Sequence, residues 1–376
     1  MAWAVVLCAP TPAEASSGPI RLVLPGTIYA VPGVEANVYF DNVMLVLNAA
    51  DYAFDVNCAK GIQQAERWTF RPQATDVGDF PFTMTVRDQS NAVIAQMQSF
   101  LHVVAPTPNT ATTALLVGDS LTHASIYPQR LLDLFNTGEQ PALTLVGEHQ
   151  PKPEAPANRH EGYGGWRAST FATRWGDAAR TVPAKEGGSP FLYEDEQGTR
   201  ALDFARYCAE ANGGAAPDFV TFFLGCNDTF GANDENIEAT IDDMFKHMDA
   251  LLAMVRGHSS TTRIGLIAPV PPAATQDAFG ANYECGQTRW QYRRNQHRVV
   301  ERMQETYGAR EAEGIFLIPA YVNLDCVNNY PLTSAPWNAH CTQEGTRLNN
   351  GVHPAAPGYR QIGDSIYCWM QALLEP

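Results

Sequence analysis

From residue 114 onward the sequence alternates short apolar runs, each closing near Gly, Pro or Ala, with stretches of helical periodicity. The runs at 114–118, 143–147, 219–225, 263–269 and 315–319 have the length of strands and little polar alternation, so they read as strands buried on both faces. Between them lie helical stretches at about 127–136, 200–211, 235–256 and 290–308, and a last one at 356–374. Asn236 to Leu252 keeps its apolar residues three or four apart, as a helix with one face on a core does. Strands of this kind separated by helices imply a parallel sheet with right-handed crossovers. Such a sheet presents its ligand site at the carboxyl ends of the strands.

The first of these runs ends in Gly118-Asp119-Ser120. A serine at a strand-to-helix turn can point its hydroxyl outward while its N–H faces the same space, which suits a nucleophile and one donor of an oxyanion hole. The tripeptide by itself also suits any capped turn. Three later stretches agree with the catalytic reading. His160 to Thr170 is a Gly-rich loop containing Tyr163-Gly164-Gly165-Trp166, where backbone can approach a ligand closely. Phe219 to Asp228 closes an apolar run with Gly225-Cys226-Asn227-Asp228, and the Asn227 amide can serve as another oxyanion donor; losing one such donor typically costs ~10²–10³ in kcat. Asn349-Asn350-Gly351-Val352-His353-Pro354 precedes the last helix and puts a histidine on a loop late in the α/β region.

Taken in order, these blocks resemble the SGNH hydrolase superfamily, the GDSL esterases and lipases, over residues 114–374. The resemblance implies a flavodoxin-like three-layer α/β/α fold and ester hydrolysis through an acyl-enzyme. Matched block by block, it makes Ser120 the nucleophile and first oxyanion donor, Gly165 (ahead of Gly164) and Asn227 the other donors, and His353 the general base. Asp119, Tyr163, Trp166 and Asp228 are candidate substrate-binding residues. One departure stands out: the family usually has Asp three residues before the histidine, and here Asn350 occupies that position. Asn cannot compensate an imidazolium, although its amide oxygen can accept the Nδ1–H bond. Loss of a triad carboxylate can cost about 10⁴ in kcat where it leaves the wrong tautomer. Three accounts stay open: a dyad oriented by Asn350 or a backbone carbonyl, a carboxylate from elsewhere, or a weakened enzyme.

The rest of the chain sets the context. Residues 18–105 carry short strand-like runs at Arg21-Leu-Val-Leu24, Ala36 to Phe40, Val43 to Leu47, Trp68-Thr-Phe70, Phe82 to Val86 and Val93-Ile-Ala95, separated by turn residues. They predict a smaller all-β sandwich domain, with a hairpin at 85–91. Pro/Thr-rich residues 106–113 read as a linker, leaving 114–376 as the hydrolase domain. Residues 1–17 read as the remnant of a secretory signal with a small-x-small site at Ala13-Glu14-Ala15, so the expected location is secreted or periplasmic.

Lys+Arg 25 against Asp+Glu 40 gives a net charge of −15 with no basic run, which argues against nucleic acid or an anionic membrane as a partner. No CxxC pair or HExxH supports a metal site, and the chemistry needs no cofactor. Cleavage after Ala15 would leave seven of eight cysteines, with Cys226 the candidate free thiol and Cys285, Cys326 and Cys341 in a region where a disulfide would be useful. The expected substrate is an acylated carbohydrate, most readily a polysaccharide or oligosaccharide losing acetyl groups, with Tyr163, Trp166, Trp290 and Tyr292 available as stacking surfaces. The alternatives are a generalist short-chain acyl or aryl esterase or lysophospholipase, and a non-catalytic glycan-binding fold.

Overall fold

The computed structural model describes residues 20–107, 110–138, 142–176 and 187–375. The expected signal remnant lies outside the described residues. Among the described residues, seven strands form the N-terminal region: Thr27–Ala30 (β1), Ala36–Tyr39 (β2), Ala53–Cys58 (β3), Ile62–Gln63 (β4), Arg67–Phe70 (β5), Gly78–Arg87 (β6) and Val93–Val103 (β7). They make a four-stranded sheet, β1-β7-β6-β3, and a three-stranded sheet, β2-β5-β4, antiparallel except for the β1–β7 pair. The sheets meet where Trp68 of β5 stands edge-on to Phe82 of β6, at 5.2 Å between centroids, and both rings are buried. The β6–β7 hairpin turns at Asp88, whose Oδ1 accepts the N–H groups of Ser90 and Ala92.

Two of the expected strands in this region are not strands. Arg21 to Leu24 contributes only an isolated bridge, Leu22 to Met44. Phe40–Val43 is a helical turn, and the chain beyond Met44 is irregular. The cause is tertiary: the Asn42 amide donates to the carbonyls of Tyr321 and Leu324, both at 2.8 Å, so this turn is shaped by docking. An apolar run of five residues does not by itself distinguish the two outcomes.

The region beyond residue 111 is built on Thr112–Gly118 (β8), Leu143–Val146 (β9), Glu161–Gly162 (β10), Phe219–Phe223 (β13), Arg263–Ile267 (β14) and Ile315–Ile318 (β15), with small antiparallel pairs Leu192–Glu194 (β11) with Arg200–Leu202 (β12) and Leu332–Asn338 (β16) with Cys341–Leu348 (β17). All neighbours in the main sheet are parallel, in the order β9-β8-β13-β14-β15, with β10 continuing the β9 edge beside the carboxyl end of β8. This is the doubly wound order in which the chain turns outward in both directions from its first strand. The carboxyl end of β8 is therefore the topological switch point.

Side chains alternate across the sheet. Ala114, Leu116, Phe219 and Phe223 join the core under helices Ile126–Phe135 and Ala356–Leu374. Leu115, Val117, Val220 and Phe222 join the opposite core under Ile237–His258 and Arg289–Tyr307. The structure thus has the three-layer α/β/α architecture beside a smaller β-rich region.

Other differences are local. Thr112 and Thr113, expected in the linker, already pair with Leu143 and Thr144 as part of β8. The helix expected over 200–211 spans only Phe204–Ala211, because the Asp203 carboxylate accepts the Arg206 N–H and caps it there. The seven described cysteines are all free: Cys226, Cys208, Cys326 and Cys368 are buried, and no pair among Cys285, Cys326 and Cys341 is bridged. Among the described residues no helix is long and apolar enough to cross a membrane.

Candidate active site

Ser120 opens the one-turn helix Ser120–His123 directly after β8. Gly118 is required there by close approach: a Cβ would sit 2.0 Å from Thr122 Oγ1 and 3.0 Å from the Phe223 carbonyl. The Thr122 hydroxyl in turn bonds the buried Tyr127 hydroxyl at 2.8 Å. Across the switch point, the half-buried His353 brings Nε2 to 2.8 Å from Ser120 Oγ, although the two residues are 233 positions apart. Burial holds the His353 imidazole below its ordinary pKa, favouring the neutral form that can accept a proton.

Asn350 does not orient that ring. Its Oδ1 accepts the backbone N–H groups of Val352 at 3.1 Å and His353 at 2.8 Å, closing a turn that fixes the histidine's backbone. Among the described residues the ring's hydrogen bond is through Nε2 alone. Gly351 lies against the Phe279 ring, where a Cβ would stand 2.5 Å from its Cε2.

Asp119 links two of the motif blocks. Its Oδ1 accepts the Leu121 N–H at 2.9 Å, while its Oδ2 accepts the Cys226 thiol at 2.8 Å and the Asn227 amide at 3.1 Å. Burial pushes the Asp119 carboxyl up to about 6, against the Cys226 and Leu121 donors that favour its ionised form. The Asn227 amide also donates to the Trp166 carbonyl at 3.2 Å, so the side chain is held between the Ser120 turn and the Gly-rich loop. Asp228 completes the brace: Oδ1 accepts the Ala168 N–H at 2.9 Å and Oδ2 the Gly225 N–H at 3.1 Å. Gly225 itself sits at φ +120°, a conformation L side chains rarely adopt.

Gly165, also left-handed at φ +79°, is exposed, and its N–H bonds no described residue. The loop behind it is fixed by buried polar groups. Tyr163 N–H donates to the Gly118 carbonyl at 3.0 Å, and the Tyr163 hydroxyl donates to Glu161. Burial pushes the Glu161 carboxyl up to about 7, opposed by the Tyr163 hydroxyl, the Glu148 N–H and the Tyr207 hydroxyl.

The structure therefore brings Ser120, His353, Asn227 and the Gly165 loop to one end of the sheet. It does not present the expected stacking residues there. Tyr163 and Trp166 are buried and pack on each other at 4.4 Å, Tyr292 is buried, Trp290 is half-buried, and Asp119 is buried within its network. Their side chains serve the core, because a loop with this many glycines needs large anchors to fix its path. Sequence reading also missed Glu161 and the Asp119–Cys226 contact; following the polar run Asn158-Arg159-His160, Glu161 carries no local signal of burial.

The GDSL-like lipase/acylhydrolase family model matches residues 115–366. The chain belongs to that family. No curated protein sequence matches the chain. Among solved structures it is similar to an acetyl esterase mutant with acetate ion, at 15% identity and TM-score 0.38, covering 70% of this chain and 98% of that one. It is similar also to a carbohydrate acetylesterase family member from Sinorhizobium meliloti, at 17% identity and TM-score 0.39, covering 70% and 99%.

Proposed function

We propose that the chain is an exported serine ester hydrolase that removes acetyl groups from a saccharide through an acyl-enzyme. The observation that carries the catalytic reading is the 2.8 Å contact between His353 Nε2 and Ser120 Oγ at the switch point of the sheet. In this reading Ser120 Oγ bonds to the ester carbonyl carbon as its proton passes to His353 Nε2. The carbonyl oxygen takes up the negative charge and faces the N–H groups of Ser120 and Gly165 and the Asn227 amide. Collapse breaks the bond to the alcohol, which leaves with the proton from His353. Water then adds to the acyl-enzyme by the same route and releases the acid. The Asn227 amide is already engaged by Asp119 and Trp166, so it shares one of its hydrogens with the oxyanion.

A short acyl group is favoured by what lies between the two motif loops. Cys226, beside Asn227, and Val352, beside His353, pack with Phe279 and Tyr292 into one buried cluster between the loops, which supports the short-chain reading. Acetate release from acetylated xylan, pectin, xyloglucan and chitin oligomers tests the reading, beside p-nitrophenyl esters of increasing length. Release from a glycan that Ser120→Ala lowers by at least about 10³-fold is the expected result. Activity confined to p-nitrophenyl esters would favour the generalist esterase. Failure of a fluorophosphonate to label Ser120 would leave the non-catalytic glycan-binding fold.

A further inference from the structure

The β16–β17 hairpin stands five residues before His353 in the chain and no motif of the site lies on it. Every residue of β16 is exposed. A two-stranded ribbon is marginal by itself, so its order depends on its own cross-strand contacts and on its anchorage. Both are visible. In the β16–β17 register Thr333 is opposite Arg347 and Ala335 opposite Gly345, which puts Thr333, Ala335 and Trp337 on one face with Gly345 and Arg347.

On that face the Trp337 indole covers Gly345, where a Cβ would fall 2.1 Å from the ring, and Arg347 places its guanidinium 4.9 Å from a ring centroid. Gly345 is buried by this cover in the middle of a mostly exposed ribbon, while Trp337 itself stays 46% exposed. The indole is thus seated on the hairpin from one side and open to solvent on the other.

The same face is tied to the catalytic end of the molecule. Arg347 pairs with Asp277 in the first turn of the helix Gln276–Tyr283. From that helix Phe279 underlies Gly351 in the His353 loop, and Tyr283 packs on Phe230, just past Asn227, at 4.9 Å. The hairpin is therefore linked by packing contacts, through one short helix, to both loops that flank Ser120.

We infer that the Trp337 face of the β16–β17 hairpin is a subsite for a pyranose ring in the alcohol portion of the substrate. This rests on the saccharide ester reading above. The chemistry around the indole selects the occupant. A pyranose offers a C–H face to an aromatic ring and hydroxyls around its rim, and the same face of the hairpin carries Thr333 and Arg347 beside the indole. A fatty acyl chain needs continuous apolar lining, which a face carrying Thr333 and Arg347 around a single indole does not supply. An anionic polymer is disfavoured by the net charge of −15.

The test uses the full chain with Trp337→Ala and Trp337→Phe, assayed on p-nitrophenyl acetate and on acetylated xylo-oligosaccharides. Trp337→Ala is expected to leave kcat/KM on p-nitrophenyl acetate within about twofold and to raise KM for the oligosaccharide at least about tenfold, with kcat little changed. Trp337→Phe, which keeps an aromatic face, is expected to recover most of that loss. Parallel effects on both substrates, or no effect on either, would overturn the subsite.

A second reading is independent of turnover: indole fluorescence of the Ser120→Ala chain titrated with unesterified xylo-, cello- and chito-oligosaccharides. Saturable quenching that disappears in the Ser120→Ala, Trp337→Phe double variant is expected. Its absence with all three sugars overturns the subsite even where fluorophosphonate labels Ser120 in the parent chain. Failure of that labelling removes the esterase reading even where the sugars bind.

Discussion

At residue 350 the chain keeps half of what an aspartate does in this position. Asn350 Oδ1 closes the turn on the Val352 and His353 N–H groups, as a carboxylate oxygen could, but among the described residues no carboxylate bonds the His353 ring. Ser120 needs the tautomer with its proton on Nδ1, so that Nε2 can accept, and no described hydrogen bond selects it. Asn350→Asp is therefore expected to raise kcat/KM on p-nitrophenyl acetate by at least tenfold and at most about 10⁴-fold. An unchanged or lower value would show that the ring is oriented without a carboxylate.

The pH profile gives a second reading of the same residue. Burial lowers the His353 pKa, so the neutral base persists to lower pH and the acid limb of kcat/KM is expected below 6.5, with activity retained as pH rises through 7. In Asn350→Asp that limb moves upward, because the carboxylate favours the imidazolium. A parent limb above 6.5 contradicts the burial argument. That Ser120, His353 and Asn227 would meet at one end of the sheet was legible in the sequence because each sits inside a short local motif. The Asp119–Cys226 contact was not, because it joins residues 107 positions apart that only the parallel pairing of β8 with β13 brings together.

At the scale of elements, legibility follows burial. β8, β13 and β14 are recognisable because burial on both faces leaves almost unbroken apolar runs. β16 carries no such pattern, since every one of its residues is exposed and its pairing is held by Trp337 over Gly345. The opposite error, at Val43 to Leu47, came from an apolar run whose conformation is decided by Asn42 docking on distant carbonyls. The strand-to-helix joint after β8 is the element on which the site most depends, and its tolerance is testable. A methyl group at Gly118 would meet Thr122 Oγ1 at 2.0 Å and displace the hydroxyl bonded to Tyr127. Gly118→Ala is expected to cost about 1–3 kcal/mol in a urea unfolding titration, the range for overpacking a filled core. It should also slow fluorophosphonate labelling of Ser120, because the displaced turn carries the nucleophile. A midpoint unchanged from the parent would mean that Thr122 has room to move.

For the whole molecule, the question is whether the β-rich region and the hydrolase region fold as one. Their contact joins specific polar bonds to a shared apolar core. Asn37 donates from both N–H and Nδ2 to Asn323 Oδ1, at 3.0 and 2.9 Å, and Asn42 holds the carbonyls of Tyr321 and Leu324. Asp41 pairs with the nearly buried Arg293 at 2.9 Å and with Arg289 at 3.5 Å. Arg289 also donates to the Ala273 carbonyl, and the Ala273 N–H donates to Gly351 at 3.1 Å, so the β-rich region braces the strand-to-helix loop against which the His353 loop rests. Asp41→Ala would leave Arg293 beside the carbonyls of Asp41 and Met44 with its charge uncompensated. A fully buried pair broken in this way costs several kcal/mol, but Asp41 is partly exposed and water screens it, so a loss of about 1–3 kcal/mol is expected. Because both regions share one apolar core cluster, reaching from Val38 and Trp68 to Val300 and Tyr321, that loss should lower the midpoint of a single cooperative transition in calorimetry. Two resolved transitions in the parent chain, with Asp41→Ala shifting only the one that belongs to the β-rich region, would show instead that the hydrolase region stands without its brace.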